Sequence, residues 1–146
     1  MEELRFMDIL GELRNQCTAR DEKIRRSLSL SEAEYKALLI LSCEDHVTCQ
    51  EVASRMNLSL SRASRVIERL FEKGLAKREG CTSDRRCKRV WLTGKGKEVR
   101  SEIENQIQRC ESTLLKKIAN AEIRLPRFRK DLKNLITSLD EVNEEI

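Results

Sequence analysis

Regularly spaced arginines are the residues of this sequence best suited to bind a polyanion. Arg62, Arg65 and Arg69 fall at i, i+3 and i+7, so a helix would present all three on one face. Residues 59–97 contain twelve Lys or Arg and four Asp or Glu, a local formal charge of +8, whereas the whole chain carries +4. Such a concentrated positive patch attracts phosphate and gains free energy from counterion release. We therefore predict that this segment binds nucleic acid.

A helix over residues 60–73 is the element that must position these arginines. Ser59 or Ser61 can accept a backbone hydrogen bond at its start. Gly74 suits the left-handed conformation that commonly ends a helix. Apolar residues recur away from the arginines, at Ala63, Val66, Ile67 and Leu70. This pattern predicts a helix that buries one face and offers a separate basic face to a partner.

The segments on either side of the basic helix predict a winged helix-turn-helix. Capping boxes at residues 31–34 and 48–51 indicate the starts of two preceding helices, the second only a few residues before the basic helix. Two strands are predicted after it, over residues 75–79 and 88–92, joined by the polar, basic link 80–88. A groove-entering helix followed by a hairpin that grips the backbone suits duplex DNA.

Long helices are predicted at both ends of the chain, over residues 3–27 and 94–119, with a last helix that has Pro126 in its first turn. Apolar residues of the last helix alternate spacings of three and four, namely Leu125, Phe128, Leu132, Leu135, Leu139, Val142 and Ile146. This heptad seam requires a partner helix. Because a small winged domain cannot cover so much apolar surface, we predict a homodimer.

The predicted fold class is therefore mainly α (α+β), a winged helix-turn-helix with long N- and C-terminal dimerisation helices. The predicted regions are an N-terminal dimerisation helix (1–30), a winged helix-turn-helix DNA-binding region (31–93) and C-terminal dimerisation helices (94–146). The composition agrees with this prediction. Charged residues make up 37% of the chain and aromatic residues 3%, and there is a single Pro, which favours long helices over a sandwich or a barrel.

Several classes of function find no support in the sequence. There is no Gly-rich phosphate loop and no paired-carboxylate motif, and the single histidine, His46, lies in a predicted turn, so no enzyme is predicted. No stretch approaches the ~20 apolar residues of a membrane span. No signal-peptide pattern is present. We expect a cytoplasmic protein that needs no cofactor and has no membrane partner.

The six cysteines are expected to be mostly reduced thiols in that compartment. Cys17 and Cys110 fall in apolar stripes and are predicted to be small core residues. Cys43 and Cys49 lie on either side of His46 with five residues between the two cysteines. Zinc motifs favour shorter spacings, so no metal site is predicted.

Cys81 and Cys87 support a sharper hypothesis. They lie on opposite arms of the predicted hairpin, where a cross-strand disulfide is geometrically allowed. The basic neighbours Arg85, Arg86 and Lys88 would lower the thiol pKa and raise reactivity. Oxidation would then reshape the wing. The alternative function is therefore a cysteine-based redox or metal sensor in which DNA binding is secondary.

The wing contains the most specific motifs of the chain, Asp84-Arg85-Arg86 and then Val90-Trp91-Leu92-Thr93-Gly94-Lys95-Gly96. In these motifs, and in the spacing of residues 61–70 and 72–75, the chain resembles the MarR family of bacterial and archaeal transcription regulators. That family has Asp-Arg-Arg followed by a strand that ends Leu-Thr-x-x-Gly. The similarity extends from residue ~5 to residue ~143.

The resemblance implies a homodimer that binds an inverted-repeat operator of double-stranded DNA, usually as a repressor. Family members often bind a small-molecule effector in a cleft between the DNA-binding and dimer regions. The helix of residues 60–73 would enter the major groove, and the wing would reach an adjacent minor groove or its phosphates. In the wing, Asp84 would orient Arg86 toward DNA. The predicted DNA-binding residues are Gln50, Ser59, Ser61, Arg62, Ser64, Arg65, Arg69, Asp84, Arg85, Arg86 and Lys88.

Overall fold

A computed structural model describes residues 3–41, 46–81 and 84–146, and the side chains of residues 81–88 are not described. The elements in chain order are α1 (Phe6–Ser27), α2 (Glu32–Ile40), β1 (Val47–Thr48), α3 (Cys49–Met56), α4 (Leu60–Glu72), β2 (Ala76–Cys81), β3 (Asp84–Leu92), α5 (Gly94–Lys117) and α6 (Ala121–Glu145). The chain divides into two compact units, Met1–Gln106 and Ile107–Ile146. The predicted mainly α fold with a winged helix-turn-helix is confirmed.

The first unit contains the winged helix-turn-helix. Its strands form an antiparallel sheet in the order β1-β3-β2. Its core lies between α2, α3, α4 and the sheet, and Ile103 of α5 joins it. The largest fully buried side chains are Leu38, Leu41, Val52, Ile67, Leu70, Val90 and Ile103. The Arg100 side chain of α5 donates a hydrogen bond to the carbonyl of Leu41. This contact fixes the start of α5 against the end of α2.

The sheet is larger than the sequence predicted. The short strand β1 was missed, and it pairs Val47 with Val90. The wing strands extend to Cys81 and begin again at Asp84, so most of the predicted link over 80–88 is strand. Apolar alternation marks a strand only where one face is buried. The outer part of the hairpin has no such pattern, and its pairing therefore had no signal in the sequence.

The start of α6 also differs from the prediction. Asn120 adopts a left-handed conformation with φ 56°, and the helix begins at the next residue, Ala121. The backbone N–H groups of Ile123 and Arg124 both reach the carbonyl of Asn120, each at 3.1 Å. Pro126 therefore lies inside the helix and not in its first turn. There it leaves the carbonyl four residues earlier without its helical donor.

The prediction that Cys17 and Cys110 are core residues is wrong for the single chain, because both are exposed. They lie on α1 and α5, whose apolar stripes are also largely uncovered. The exposed apolar residues of the terminal helices include Met7, Leu13, Leu114, Ile123, Phe128, Ile136 and Val142. Cys49, for which no role was predicted, is buried. Among the described residues, no helix is long and apolar enough to cross a membrane.

Gly96 lies where α5 starts close to the junction of α4 and β2. A Cβ atom at this position would lie 1.9 Å from the backbone oxygen of Leu75. We predict that Gly96→Ala lowers the free energy of unfolding by about 2–3 kcal/mol, because neither backbone can move without disturbing the core. Urea denaturation at one fixed protein concentration measures this change.

Gly94→Ala is the matched control, since it adds the same methyl group in the same helical turn. Nothing lies within 4 Å of a Cβ at Gly94. We expect no loss of stability for this variant. Equal denaturation midpoints for the two variants would show that the close approach at Gly96 has no energetic cost.

Candidate nucleic-acid interface

Helix α4 presents a buried face and an exposed basic face, as predicted. Ala63, Val66, Ile67 and Leu70 are all buried. The predicted contact residues on the other side are all exposed, namely Ser61, Arg62, Ser64, Arg65 and Arg69. Since the buried face anchors the helix in the core, the exposed side chains project from a rigid element. This is the arrangement that a groove-reading helix requires.

Two local devices set where α4 begins. Asn57, in a left-handed conformation (φ 53°), ends α3, and the N–H groups of Asn57 and Leu58 bond back to the carbonyls of Ser54 (3.1 Å) and Ala53 (2.9 Å). These two hydrogen bonds together form a Schellman motif. Ser59 then caps α4 by accepting the backbone N–H of residue 62 at 3.3 Å. The connection between α3 and α4 is therefore tight. The Schellman motif before it and the Ser59 cap after it hold the first turn of α4 in place.

The preceding helix α3 opens on the predicted capping box. Thr48 accepts the N–H of Glu51 at 3.1 Å, and the Glu51 carboxylate accepts the N–H of Thr48 at 2.8 Å. Gln50 is exposed in this first turn. Its side-chain amide and the positive end of the helix dipole suit a phosphate oxygen.

A buried ion pair fixes the other end of α4. Lys73 Nζ lies 2.6 Å from Glu34 Oε2 and also donates to the carbonyl of Ser29 at 2.9 Å. Glu34 is buried, and its carboxylate also accepts the backbone N–H of Ser31 at 3.0 Å in the predicted capping box of α2. Burial raises the pKa of Glu34, but the hydrogen bonds from Lys73 and Ser31 and the nearby charge of Arg69 outweigh it, so the pKa is lowered.

Glu34→Gln should destabilise the fold, and the loss should depend on pH. At pH 7 we expect a decrease of about 1–2 kcal/mol in the free energy of unfolding, because an uncharged amide loses the charge-assisted hydrogen bond from Lys73, whose own side chain is 42% exposed and stays solvated. The pKa of Glu34 is below 4.5 in the folded state. Its contribution is therefore fully present above pH 4.5 and is lost as the pH falls through the folded pKa.

Denaturant unfolding of wild type and Glu34→Gln between pH 7 and pH 3 provides the measurement. The difference between the two proteins should shrink at the acidic end. Glu32→Gln is the matched control, because Glu32 lies in the same first turn but its ion pair with Lys36 is exposed. A difference that stays constant down to pH 3 would exclude a charged Glu34 as the stabilising group.

The wing packs on α4 through an ion pair that the sequence did not reveal. Arg78 of β2 forms an ion pair with Glu68 of α4. The same guanidinium lies 5.2 Å from the ring centroid of Phe71, a cation–π distance. Thr93 Oγ1 donates to the carbonyl of Gly74 at 2.6 Å and accepts the N–H of residue 96 at 3.0 Å, as a cap of α5. These contacts fix the orientation of the wing relative to α4.

The exposed arginines of α4 keep their charge available. A solvated helix face could instead hold its arginines in salt bridges to Glu68 and Glu72 of the same helix. None of Arg62, Arg65 and Arg69 makes such a bridge with an acid in the described part of the chain. Glu68 is instead occupied by Arg78 from the wing. A phosphate can therefore approach the three guanidinium groups without displacing an internal partner.

The predicted wing residues are only partly covered by the structure. The backbone of Asp84, Arg85, Arg86 and Lys88 lies in β3, but their side chains fall outside the described residues. Three further cations of the wing strands that were not predicted as contacts are Lys77, Arg78 and Arg89, and all three are exposed. They were missed because the predicted contacts followed the family motif, which has its arginines nearer the hairpin turn.

The hypotheses on cysteine and metal chemistry remain predictions. The backbone register pairs Gly80 with Lys88 and then, after a register shift, Cys81 with Asp84. The side chains of Cys81 and Cys87, and all of Cys43, lie outside the described residues. No three His, Cys, Asp or Glu side chains are grouped as a metal site in the described residues.

The rings of His46 and Trp91 pack against each other. Their ring centroids are 4.7 Å apart. Trp91 is half-buried. Tyr35 is buried and donates its hydroxyl to Asp21 of α1 at 3.1 Å. Burial and that carboxylate raise the pKa of Tyr35 to about 12.

Comparison with known proteins agrees with the fold. The sequence profile of the MarR family matches residues 30–88. A MarR-family transcriptional regulator from Silicibacter pomeroyi is 25% identical, with a TM-score of 0.67 over 89% of this chain and 86% of that one. A MarR variant from E. coli is 20% identical, with a TM-score of 0.75 over 93% and 99%. A MepR variant from S. aureus, solved bound to an oligodeoxyribonucleotide, is 18% identical, with a TM-score of 0.66 over 94% and 99%.

The helix-turn-helix, the wing and the exposed basic helix define a winged helix-turn-helix protein. The matched residues 30–88 include α2, α3, α4 and most of the wing, which are the elements that build the interface. Over this segment the chain is similar to the MarR family.

Proposed function

We propose that this protein is a DNA-binding transcription regulator that acts as a homodimer on an inverted-repeat operator. The observation that carries the proposal is the arginine row of α4, which is exposed, makes no ion pair with a described acid and lies opposite a fully buried face. A rigid helix with available guanidinium groups suits the major groove, where arginine recognises guanine. The MepR variant that was solved bound to an oligodeoxyribonucleotide supports DNA as the partner.

The predicted DNA-binding residues contact different parts of the duplex in this proposal. Ser61, Arg62, Ser64 and Arg65 contact bases and phosphates from the first two turns of α4. Arg69 lies further along and contacts phosphate. Ser59, as the cap, fixes the start of the helix, and Gln50 of α3 contacts phosphate. The wing residues Asp84, Arg85, Arg86 and Lys88 reach the neighbouring minor groove, with Asp84 orienting Arg86.

The homodimer follows from the uncovered apolar surface of the terminal helices. No residue of α6 is buried in the single chain, although the helix has a heptad seam. Such a seam is stable in water only against another helix. A two-fold dimer would place two α4 helices on successive major grooves, roughly 34–36 Å apart. The operator would then be an inverted repeat, because its symmetry mirrors that of the protein.

Selection from a pool of random DNA duplexes tests the proposal. The purified protein is mixed with the pool at physiological salt, and bound duplexes are amplified and sequenced over several rounds. The proposal predicts an enriched inverted repeat whose half-sites have centres about 10 bp apart. Enrichment of no sequence over the starting pool would contradict sequence-specific recognition.

Repression, and its relief by a small ligand or an oxidant, belong to the same proposal and rest on the resemblance to the MarR family. The oxidant route has a direct test in the variant Cys81→Ser/Cys87→Ser. If mild oxidant releases wild-type protein from the selected duplex but leaves this variant bound, the two wing thiols are the sensor. Equal release of both proteins would exclude them.

A further inference from the structure

The exposed side of α4 contains an acid beside its arginines. Glu68 lies three residues after Arg65, so the two side chains are neighbours on the helix surface. Arg65 has no other acid three or four residues away, and Glu68 has no other cation at that spacing. The helix by itself therefore favours an ion pair between Arg65 and Glu68. That pair would withdraw a guanidinium from the basic face.

The structure holds Glu68 in a different ion pair. Nη1 of Arg78, on the wing strand β2, donates to Oε2 of Glu68. Arg65 is exposed and forms no ion pair with an acid in the described part of the chain. The carboxylate of Glu68 is thus occupied from outside its own helix. Because of this pairing, the guanidinium of Arg65 remains available to a phosphate or a base.

The sheet directs the side chain of Arg78 toward α4. Arg78 lies two residues after the buried Ala76 and opposite the buried Val90 of β3. Since side chains alternate along a strand, Arg78 leaves the sheet on the same face as these two buried residues. Lys77, the preceding residue, leaves it on the opposite face. The position of Arg78 beside Glu68 is therefore fixed by the register of the wing strands.

Two side chains of α4 hold the guanidinium of Arg78. Besides Glu68, the ring of Phe71 lies beneath it, with 5.2 Å between Cζ and the ring centroid. Glu68 and Phe71 are three residues apart, so the carboxylate and the ring are neighbours on the helix. The side chains of Arg78 and Glu68 are only partly exposed, at 33% and 42%. A guanidinium held by both groups suits an internal role better than a contact with DNA.

We propose that Arg78 is a positioning residue for DNA binding, which holds Glu68 and thereby keeps Arg65 available to the duplex. The ion pair also neutralises the carboxylate of Glu68, which would otherwise repel the phosphates beside α4. The wing thus sets the charge that α4 presents to DNA. This inference rests on the proposed DNA-binding function, and it concerns a residue that lies outside the wing motif of residues 84–86.

A double-mutant cycle on the affinity for the selected duplex tests this role. Arg78→Gln releases Glu68, which then pairs with Arg65, so we expect the affinity to fall by about 10-fold. Glu68→Gln breaks the same ion pair but removes the competing carboxylate, and its amide oxygen can still accept from Arg78. We expect this variant to bind within about threefold of wild type. The double variant should also recover to within about threefold, because nothing then competes for Arg65.

The same cycle distinguishes the other roles that Arg78 could have. If Arg78 contacts DNA directly, the double variant Glu68→Gln/Arg78→Gln will bind as weakly as Arg78→Gln. If the ion pair only stabilises the wing, both single variants will lose affinity equally. Either result would overturn the proposal. Lys77→Gln is the matched control, since it removes the same charge from the opposite face of β2, and its effect should be the same with and without Glu68→Gln.

NMR of the arginine side chains in the absence of DNA measures the change of partner directly. In the wild-type protein, the Nε–H of Arg65 should exchange with water as fast as that of an unpaired arginine. In Arg78→Gln this exchange should become slower, because Glu68 now accepts from Arg65. Adding Glu68→Gln should restore the fast exchange. An Arg65 signal that does not respond to Arg78→Gln would overturn the proposed competition for Glu68.

The results separate this inference from the proposed function. A wild-type protein that binds no duplex specifically would overturn the proposed function, and with it the role of Arg78 in DNA binding. Specific binding by wild type that Arg78→Gln leaves unchanged would overturn the role of Arg78 alone. A loss of affinity in Arg78→Gln, its recovery in the double variant and the matching change in the Arg65 signal would together support both.

Discussion

Arg62→Ala/Arg65→Ala is expected to weaken operator binding by about 100-fold or more while the protein stays folded and dimeric. Both side chains are exposed on α4, and neither makes an ion pair with an acid in the described residues. Their removal therefore leaves no internal carboxylate unpaired. The free energy lost should come from contacts to DNA, each worth about 1–3 kcal/mol for a guanidinium on a base edge.

Fluorescence anisotropy with the selected duplex at several salt concentrations provides the measurement. If one of the two arginines contacts phosphate, the slope of log affinity against log salt should also become shallower by about one unit. Arg109→Ala is the matched control, because it removes an exposed arginine from α5. Equal affinity of the double variant and the control would show that α4 does not enter the groove.

Phe128→Glu is expected to produce a monomer whose affinity for the operator is lower by about 10²–10⁴-fold. Phe128 is 53% exposed in the single chain and lies on the apolar seam of α6. A buried carboxylate without a partner at that seam would oppose association. Without the dimer, the second half-site loses its high effective concentration.

Sedimentation equilibrium and anisotropy on the same samples test this expectation. Thr137→Glu serves as the control, since Thr137 is exposed on α6 away from the seam. If Phe128→Glu stays dimeric, the seam is not the dimer surface. If it becomes monomeric and still binds the operator as tightly as wild type, recognition does not need two copies.

The local elements of this fold were predictable because their causes are local. Both capping boxes lie within four residues of sequence, and each formed with its two hydrogen bonds, at Ser31 and Glu34 and at Thr48 and Glu51. The basic face of α4 was predictable for the same reason, since helical spacing alone places Arg62 and Arg65 together.

Interactions between distant residues were not predictable from spacing. Glu68 pairs with Arg78 of the wing and not with an arginine of its own helix. Lys73 reaches Glu34, 39 residues earlier. Gly96 is required by the backbone of Leu75, a contact that no periodicity reports. Each of these contacts depends on the fold being formed first.

Pro126 shows how a frequent preference can mislead. Pro is common in the first turn of a helix, where its missing N–H has no consequence. Here the left-handed residue Asn120 sets the start of α6 earlier, and the apolar seam continues through the proline. The seam begins at Leu125, so neither the seam nor the proline indicated the first turn of the helix, which starts at Ala121.

The most direct test of operator recognition by a dimer changes the spacing of the selected operator. The anisotropy titration is repeated with a duplex that has ~5 bp, about half a DNA turn, inserted between its half-sites. Two α4 helices fixed in one dimer cannot then reach both half-sites on the same side of the DNA. We expect the affinity for the lengthened duplex to fall by about 100-fold or more, toward the affinity for a single half-site. Equal affinity for the two duplexes would contradict recognition of an inverted repeat by a rigid dimer.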